Sequence, residues 1–170
     1  TIRLNAYGPK SVAALLGYDN LGTVYLKMNN HTKALEYIQK AIDIATENPH
    51  SPPYEKARVF NNKSVSLEAL GQYDEAIQCV QQTISAFDNP DEYDPLLAIA
   101  LSNMGDLYRK KGKYDQSINY LNKALTNQSN SPLDDDHPFF AQLYNDLAKT
   151  YLLKGDLEQA HDYFQKASKV

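Results

Sequence analysis

The sequence predicts an all-α fold of eight helices, arranged as four helix-turn-helix repeats. The first observation is a column of small residues whose successive steps are 42, 41 and 43 residues: Ala34, Ala76, Ser117 and Ala160. The second is an apolar stripe at helical spacing, and the third is the lack of the alternating β-branched pattern that indicates strands. Because four columns keep one register, the 170 residues divide into four units of about 42.

The first helix of each repeat is indicated by a short recurring motif. Its clearest copies are Leu21-Gly22-Thr23-Val24-Tyr25 and Met104-Gly105-Asp106-Leu107-Tyr108. The small residue of the motif predicts the point where this helix crosses its partner most closely, since a larger side chain would cost about 1–3 kcal/mol there. These residues are Gly22, Ser64, Gly105 and Ala148.

A short break separates the two helices of each repeat. The breaks fall at Asn29-Asn30, Gly71-Gln72, Gly112-Lys113 and Gly155-Asp156, and glycine or asparagine suits the left-handed residue that ends a helix. Polar or acidic side chains interact favourably with the unpaired N–H groups at the start of a helix. They predict that the second helices begin near Thr32, Asp74, Asp115 and Glu158. In the connections between repeats, Asp94-Pro95 and His137-Pro138 are typical of an N-cap followed by proline.

Two further columns predict how the helices are packed. They are mostly aromatic, which accounts for many of the 13 tyrosines, and they are expected to fill the space between neighbouring helices. The columns are Tyr18, Phe60, Leu101 and Tyr144, followed by Tyr25, Leu67, Tyr108 and Tyr151. The single cysteine, Cys79, is interpreted as a small packed residue.

Composition and motifs exclude several classes of function. A net charge of -4 with three arginines argues against a nucleic-acid surface. The apolar runs are too short to span a membrane, and one cysteine excludes a disulfide framework. The four histidines lack metal-ligand spacing, and no phosphate loop or nucleophile motif is present. We therefore expect no enzyme activity, metal or cofactor, and no nucleic-acid or membrane partner.

These residues resemble tetratricopeptide (TPR) repeats. The resemblance rests on the Leu21–Tyr25 motif with Ala34 and Ala41, and on Gly71-Gln72-Tyr73-Asp74-Glu75-Ala76. The second repeat departs from the family pattern at Lys63, Ser64 and Thr83. The family's usual period is 34 residues, and the longer period here resembles the long-repeat subclass typified by the kinesin light chain. The resemblance implies a right-handed superhelical solenoid whose concave groove is lined by the first helices.

The register also predicts the domain organisation. Residues 10–170 are expected to form the TPR-like domain, with repeats at about 10–50, 51–92, 93–133 and 134–170. Residues 1–9 are interpreted as a linker or the tail of a preceding repeat. The chain is accordingly expected to be part of a longer array.

The first helices indicate a candidate peptide-binding groove. One column at one-repeat spacing is Asn20, Asn62, Asn103 and Asp146, and asparagine carries both a donor and an acceptor for a peptide backbone. The alternative is that these asparagines cap or bridge adjacent helices. Neighbouring positions complete the candidate set: Asn61, Asn145, Arg58, Asp106, Arg109 and Lys149.

The predicted function is a non-catalytic adaptor or scaffold module of a larger cytoplasmic protein, which binds a peptide or partner segment in this groove. Chaperone C-terminal tails are disfavoured as ligands, because Asp19, Asn61 and Ser102 stand where the family's carboxylate-gripping lysine would begin. The alternative function is a peptide-sensing regulatory domain that controls a fused output domain. Self-association through the apolar ends of the solenoid is a further expectation.

Overall fold

The computed structural model describes residues 8, 10–89, 92–131 and 137–170. These residues form eight α-helices and no β-strand, which confirms the predicted fold class. The helices are α1 (Val12–Lys27), α2 (His31–Glu47), α3 (Pro53–Ala69), α4 (Tyr73–Ile84), α5 (Pro95–Lys110), α6 (Tyr114–Ser129), α7 (Pro138–Lys154) and α8 (Leu157–Ala167). Apart from Gly8, the predicted linker of residues 1–9 lies outside the described residues.

The chain divides between Ala86 and Phe87 into two compact units. Unit 1 contains α1 to α4, and unit 2 contains α5 to α8. In each unit the helices pack as two pairs, α1 with α2 and α3 with α4, or α5 with α6 and α7 with α8. The second helix of the first pair also packs on the first helix of the next pair. Each unit therefore buries the apolar faces of two consecutive repeats.

The residues at the helix ends explain where the helices begin and stop. The predicted left-handed positions are confirmed, because φ is positive at Asn29 (56°), Gly71 (76°), Gly112 (71°) and Gly155 (90°). The Asp94 carboxylate accepts hydrogen bonds from the backbone N–H groups of Leu96 (2.8 Å) and Leu97 (3.2 Å), as an N-cap should. His137 caps α7 in the same way, accepting from Phe139 N–H at 3.2 Å.

The second helices begin one residue before each predicted start, at His31, Tyr73, Tyr114 and Leu157. The starts agree with the prediction to within one residue, and the side chains of Asn30 and Asp156, which end their breaks, cap α2 and α8. The acidic residues that suggested the starts lie in the first turn instead, where they face the positive end of the helix.

In unit 1, the small residue of the motif lies at a close helix crossing, as predicted. Gly22 is buried, and a Cβ added to it would lie 2.5 Å from Cγ1 of Ile38 on α2 and 3.5 Å from the Ala34 carbonyl oxygen. The core beside this crossing includes Leu15 and Val59, both fully buried. Ile38, one turn after the predicted partner Ala34, is therefore the side chain that fills the gap.

Unit 2 repeats this crossing with different side chains. A Cβ on Gly105 would lie 2.6 Å from Cγ of Leu121 on α6 and 3.3 Å from the Ser117 carbonyl oxygen. Leu143 and Leu147 on α7 are fully buried in the same unit. The close approach of the paired helices is thus a shared feature of both units.

The tyrosine columns form stacks within single repeats. In unit 1, Tyr37 on α2 stacks on both Tyr18 and Tyr25 of α1, with ring centroids 6.4 and 5.3 Å apart. The Lys40 ammonium lies 4.9 Å from the Tyr37 ring centroid, in reach of a cation–π interaction.

Cys79 occupies the position of Tyr37 in the next repeat, 42 residues later. It is 6% exposed, and burial raises the pKa of its thiol.

Unit 2 contains the equivalent stack in its last repeat. Tyr163 on α8 stacks on Tyr151 of α7, with ring centroids 5.5 Å apart, and makes a tilted contact with Tyr144, with centroids 6.2 Å apart. The Lys166 ammonium lies 4.7 Å from the Tyr163 ring centroid. These stacks hold the first and second helices of one repeat together and leave the polar side chains of the first helices to form the candidate site.

Candidate functional site

The predicted column of the site lies on the first helices, α1 and α3 in unit 1 and α5 and α7 in unit 2. Asn20 is exposed, whereas Asn62, Asn103 and Asp146 are half-buried. We call the polar surface of α1 and α3 around Asn20, Arg58 and Asn62 the unit 1 face. The unit 2 face is the corresponding surface of α5 and α7, with Asn103, Asp106, Arg109, Asp146 and Lys149.

The centre of the unit 1 face is a buried carboxylate. Asp19 is 1% exposed, yet it accepts a hydrogen bond of 2.8 Å from Nδ2–H of Asn62 on α3. Its other oxygen lies 3.0 Å from Nη2 of Arg58, which also lies 3.0 Å from the Glu55 carboxylate. A buried charge needs such partners to offset its desolvation. Asn62 therefore bridges adjacent helices, the alternative that the sequence left open for this column.

The amide nitrogen of Asn62 has a second neighbour on α1. It lies 3.4 Å from Oγ1 of Thr23, which itself donates a 3.0 Å hydrogen bond to the Asp19 carbonyl oxygen. The amide nitrogen of Asn62 is thus directed towards α1. The remaining polar atom of this side chain is its carbonyl oxygen, Oδ1.

Charged side chains of the unit 2 face form pairs within single helices. On α5, Asp106 accepts a charge-assisted hydrogen bond from Arg109 and lies 3.2 Å from the Lys110 ammonium. On α7, the Lys149 ammonium donates to Asp146 at 3.2 Å. Pairs at these helical spacings contribute only a few tenths of a kcal/mol, about 0.2–0.5 each.

The two other predicted residues are less accessible. Asn61 is buried, with 7% of its surface exposed. Asn145 is half-buried, and its Nδ2–H donates to the carbonyl oxygen of Ala141 one turn earlier, at 3.0 Å. The structure thus brings Arg58 together with Asn62 through Asp19, whereas the Asn145 amide bonds within its own helix.

Sequence reasoning placed Asp19 in a groove column without recognising its central position, and it missed Glu55. One available signal was that Asp19 is the only acidic residue in a column otherwise made of Asn61, Ser102 and Asn145. The other was the spacing of Glu55 and Arg58, three residues apart on one helical face.

Metal-binding groups and membrane-spanning helices are two other features considered for the part of the chain that the structure describes. No group of three or more histidine, cysteine, aspartate or glutamate side chains is arranged there to hold a metal ion. Each described helix is too short or too polar to pass through a lipid bilayer.

Comparison with known sequences identifies the repeats. A tetratricopeptide-repeat profile matches residues 55–130 and 96–170, and a second profile of that description matches residues 17–48. The chain belongs to the tetratricopeptide repeat family. Repeats of this family are in general a scaffold for protein–protein interaction, and their stacked helices form extended binding surfaces.

Relatives and solved structures agree with this assignment. A TPR repeat-containing protein of Methanocaldococcus jannaschii is 27% identical over 157 residues, covering 91% of this chain and 23% of that protein. Protein KINESIN LIGHT CHAIN-RELATED 1 of Arabidopsis thaliana is 23% identical over 150 residues, covering 88% of this chain and 24% of its own length. The chain spans about a quarter of these relatives.

A solved structure shows the same fold. The crystal structure of BtubC (BKLC) from P. vanneervenii is similar with a TM-score of 0.80 and 22% identity, covering 89% of this chain and 61% of that one. The predicted likeness to kinesin light chain-type repeats is confirmed, because the relatives include a kinesin light chain-related protein.

Proposed function

We propose that this chain is a non-catalytic interaction module that binds a peptide or partner segment on the first-helix faces of its two units. In the parent protein it would act as an adaptor or scaffold. The observation that carries the proposal is the column of polar side chains at one-repeat spacing, of which Asn20 is exposed and Asn62, Asn103 and Asp146 are half-buried. A peptide backbone repeats its N–H and C=O groups, so the two polar side chains one repeat apart within each unit suit it.

The unit 2 face adds apolar and charged anchors to this column. Leu152 and Leu153 on α7 are 50% and 53% exposed, and they follow Lys149 by about one helical turn. Exposed leucines beside a lysine suit a ligand segment that carries both an apolar and a polar side chain. Such a segment would be held by several weak contacts, which is typical of peptide recognition.

The test is a peptide-library selection with the intact chain, followed by affinity measurements on the selected peptide. We expect Asn103→Ala to weaken binding about three- to tenfold, the net effect of one hydrogen bond, while the variant still unfolds cooperatively. The matched control is Asn119→Ala, which removes an exposed asparagine from a second helix of the same repeat. Equal affinity for wild type and Asn103→Ala, combined with a loss of stability, would contradict the proposal.

A further inference from the structure

We propose that Asp19 is a positioning residue that makes the unit 1 face accept hydrogen bonds and reject acidic ligand groups. This inference rests on the proposed function and specifies the ligand chemistry. The ligand residue that meets the unit 1 face would be an N–H donor, either neutral or positively charged. Two contacts of Asp19, one with Asn62 and one with Arg58, carry the inference.

The contact with Asn62 determines which polar atom faces a ligand. An ionised carboxylate only accepts hydrogen bonds, so the amide nitrogen of Asn62 and not its oxygen must face Asp19. That nitrogen lies 2.8 Å from Oδ1 of Asp19 and 3.4 Å from Oγ1 of Thr23, both on α1. Asn62 is half-buried, and its Oδ1 is the acceptor that this orientation leaves for a ligand. A backbone N–H, a side-chain amide or an ammonium group can donate to it.

The contact with Arg58 determines the charge that this face tolerates. Arg58 lies about one helical turn before Asn62 on α3, and its side chain is one-third exposed. Two carboxylates, those of Asp19 and Glu55, each lie 3.0 Å from its Nη2. The positive charge is therefore more than balanced within the unit 1 face, and an acidic ligand side chain would have to compete with two internal carboxylates.

The experiment compares three pools of nine-residue peptides, acetylated and amidated at their ends, with a central lysine, glutamine or glutamate and random residues elsewhere. Binding of each labelled pool to the intact chain is measured by fluorescence anisotropy. We expect Asp19→Asn to raise the glutamate-to-lysine affinity ratio about fivefold, because one carboxylate is removed from Arg58. The variant Arg58→Gln should move the ratio in the opposite direction. Opposite shifts cannot arise from a general loss of folding.

Asp43→Asn is the matched control, since it removes the same charge from an exposed position of α2 in the same unit. It should leave the affinity ratio unchanged. A second measurement needs no ligand: the side-chain amide protons of Asn62 should exchange slowly with solvent in wild type and in Asp43→Asn, and rapidly in Asp19→Asn. This measurement also shows whether Asp19→Asn keeps its fold.

Pools that bind with the same affinity ratio to wild type, Asp19→Asn and Asp43→Asn would overturn this inference and leave the proposed function standing. Rapid exchange of the Asn62 amide in wild type would overturn it as well. Failure of all three pools to bind any variant would overturn both the inference and the proposed function, so the two failures are distinguishable.

Discussion

Units 1 and 2 use the same apolar packing but different polar contacts between their first helices. A Cβ on Gly22 or Gly105 would lie 2.5 or 2.6 Å from a side-chain carbon of the paired helix. In unit 1, however, Asp19 joins α1 to α3 through Asn62 and Arg58. In unit 2 the positions equivalent to Asp19, Arg58 and Asn62 hold Ser102, Gln142 and Asp146, respectively. The charged side chains of unit 2 described above pair within one helix.

Unit 2 joins its two repeats by a different buried contact. The hydroxyl groups of Ser117 on α6 and Thr150 on α7 lie 3.3 Å apart, and both residues are fully buried. Unit 1 holds Ala34 and Ser66 at the corresponding positions. The two units therefore share the small and apolar columns that define the repeat. They differ in the polar columns, which set the chemistry of each face.

The largest effect is expected when the unit 1 carboxylate is placed in unit 2. Ser102→Asp should destabilise the chain by about 3–5 kcal/mol, because a buried carboxylate would meet no guanidinium and would face Asp146. Adding Gln142→Arg and Asp146→Asn should recover most of this loss, since they rebuild the partners found in unit 1. Urea unfolding followed by circular dichroism measures the free energy of unfolding of the single and the triple variant. An equally unstable triple variant would show that the two faces are not equivalent.

Removing the carboxylate from unit 1 should have the next largest effect. Asp19→Ala should cost about 1–3 kcal/mol, because it leaves the Asn62 amide without its acceptor and Arg58 with one carboxylate fewer. Ser102→Ala, the matched change in unit 2, should cost less than about 1 kcal/mol. Equal losses in the two urea titrations would contradict a special role for Asp19.

The helix crossings should respond alike in both units. Gly22→Ala and Gly105→Ala should each cost about 1 kcal/mol net, since overpacking of about 1–3 kcal/mol is partly offset by the better helix propensity of alanine. Gly17→Ala is the control, because a Cβ there meets nothing within 4 Å. It should stabilise the chain by about 0.5–1 kcal/mol. Thermal unfolding of the three variants measures these changes. An unchanged melting temperature for Gly22→Ala or Gly105→Ala would show that the helix crossing tolerates the added methyl group.

The smallest effect concerns alkaline pH and two tyrosines of unit 2. Burial raises the pKa of Tyr120 and Tyr163 above the ordinary value of 10.0. The folded chain then holds these protons more tightly than the unfolded chain, so stability falls as the pH rises from about 10 towards the folded pKa values. Tyr120→Phe/Tyr163→Phe should make the urea midpoint fall less steeply between pH 9 and pH 11. An identical decline would contradict this contribution.

Much of the fold could be predicted because it depends on local patterns. Gly71, Gly112 and Gly155 occupy left-handed positions that few other residues adopt, and their spacing is visible in the sequence. The starts of the second helices were predicted to within one residue, because polar residues mark the end of each break and the first turn that follows it.

The polar contacts of the site were less predictable. The partner of Arg58 depends on how α1 and α3 are rotated about their axes, and sequence spacing within one helix does not report this rotation. Glu55 lies on the same helix as Arg58, whereas Asp19 lies 39 residues earlier. Repeat spacing was enough to identify the column of Asn20, Asn62, Asn103 and Asp146. The direction in which the Asn62 amide donates depends on how α1 and α3 pack.

The most direct measurement maps a selected peptide onto the chain by nuclear magnetic resonance. Backbone amide signals of the isotope-labelled chain would be followed as the peptide is added. If the first helices form the binding surface, the largest shifts will cluster on α1, α3, α5 and α7, around Asn62 in unit 1 and Asn103 in unit 2. Shifts confined to α2, α4, α6 and α8 would contradict binding on the first-helix faces.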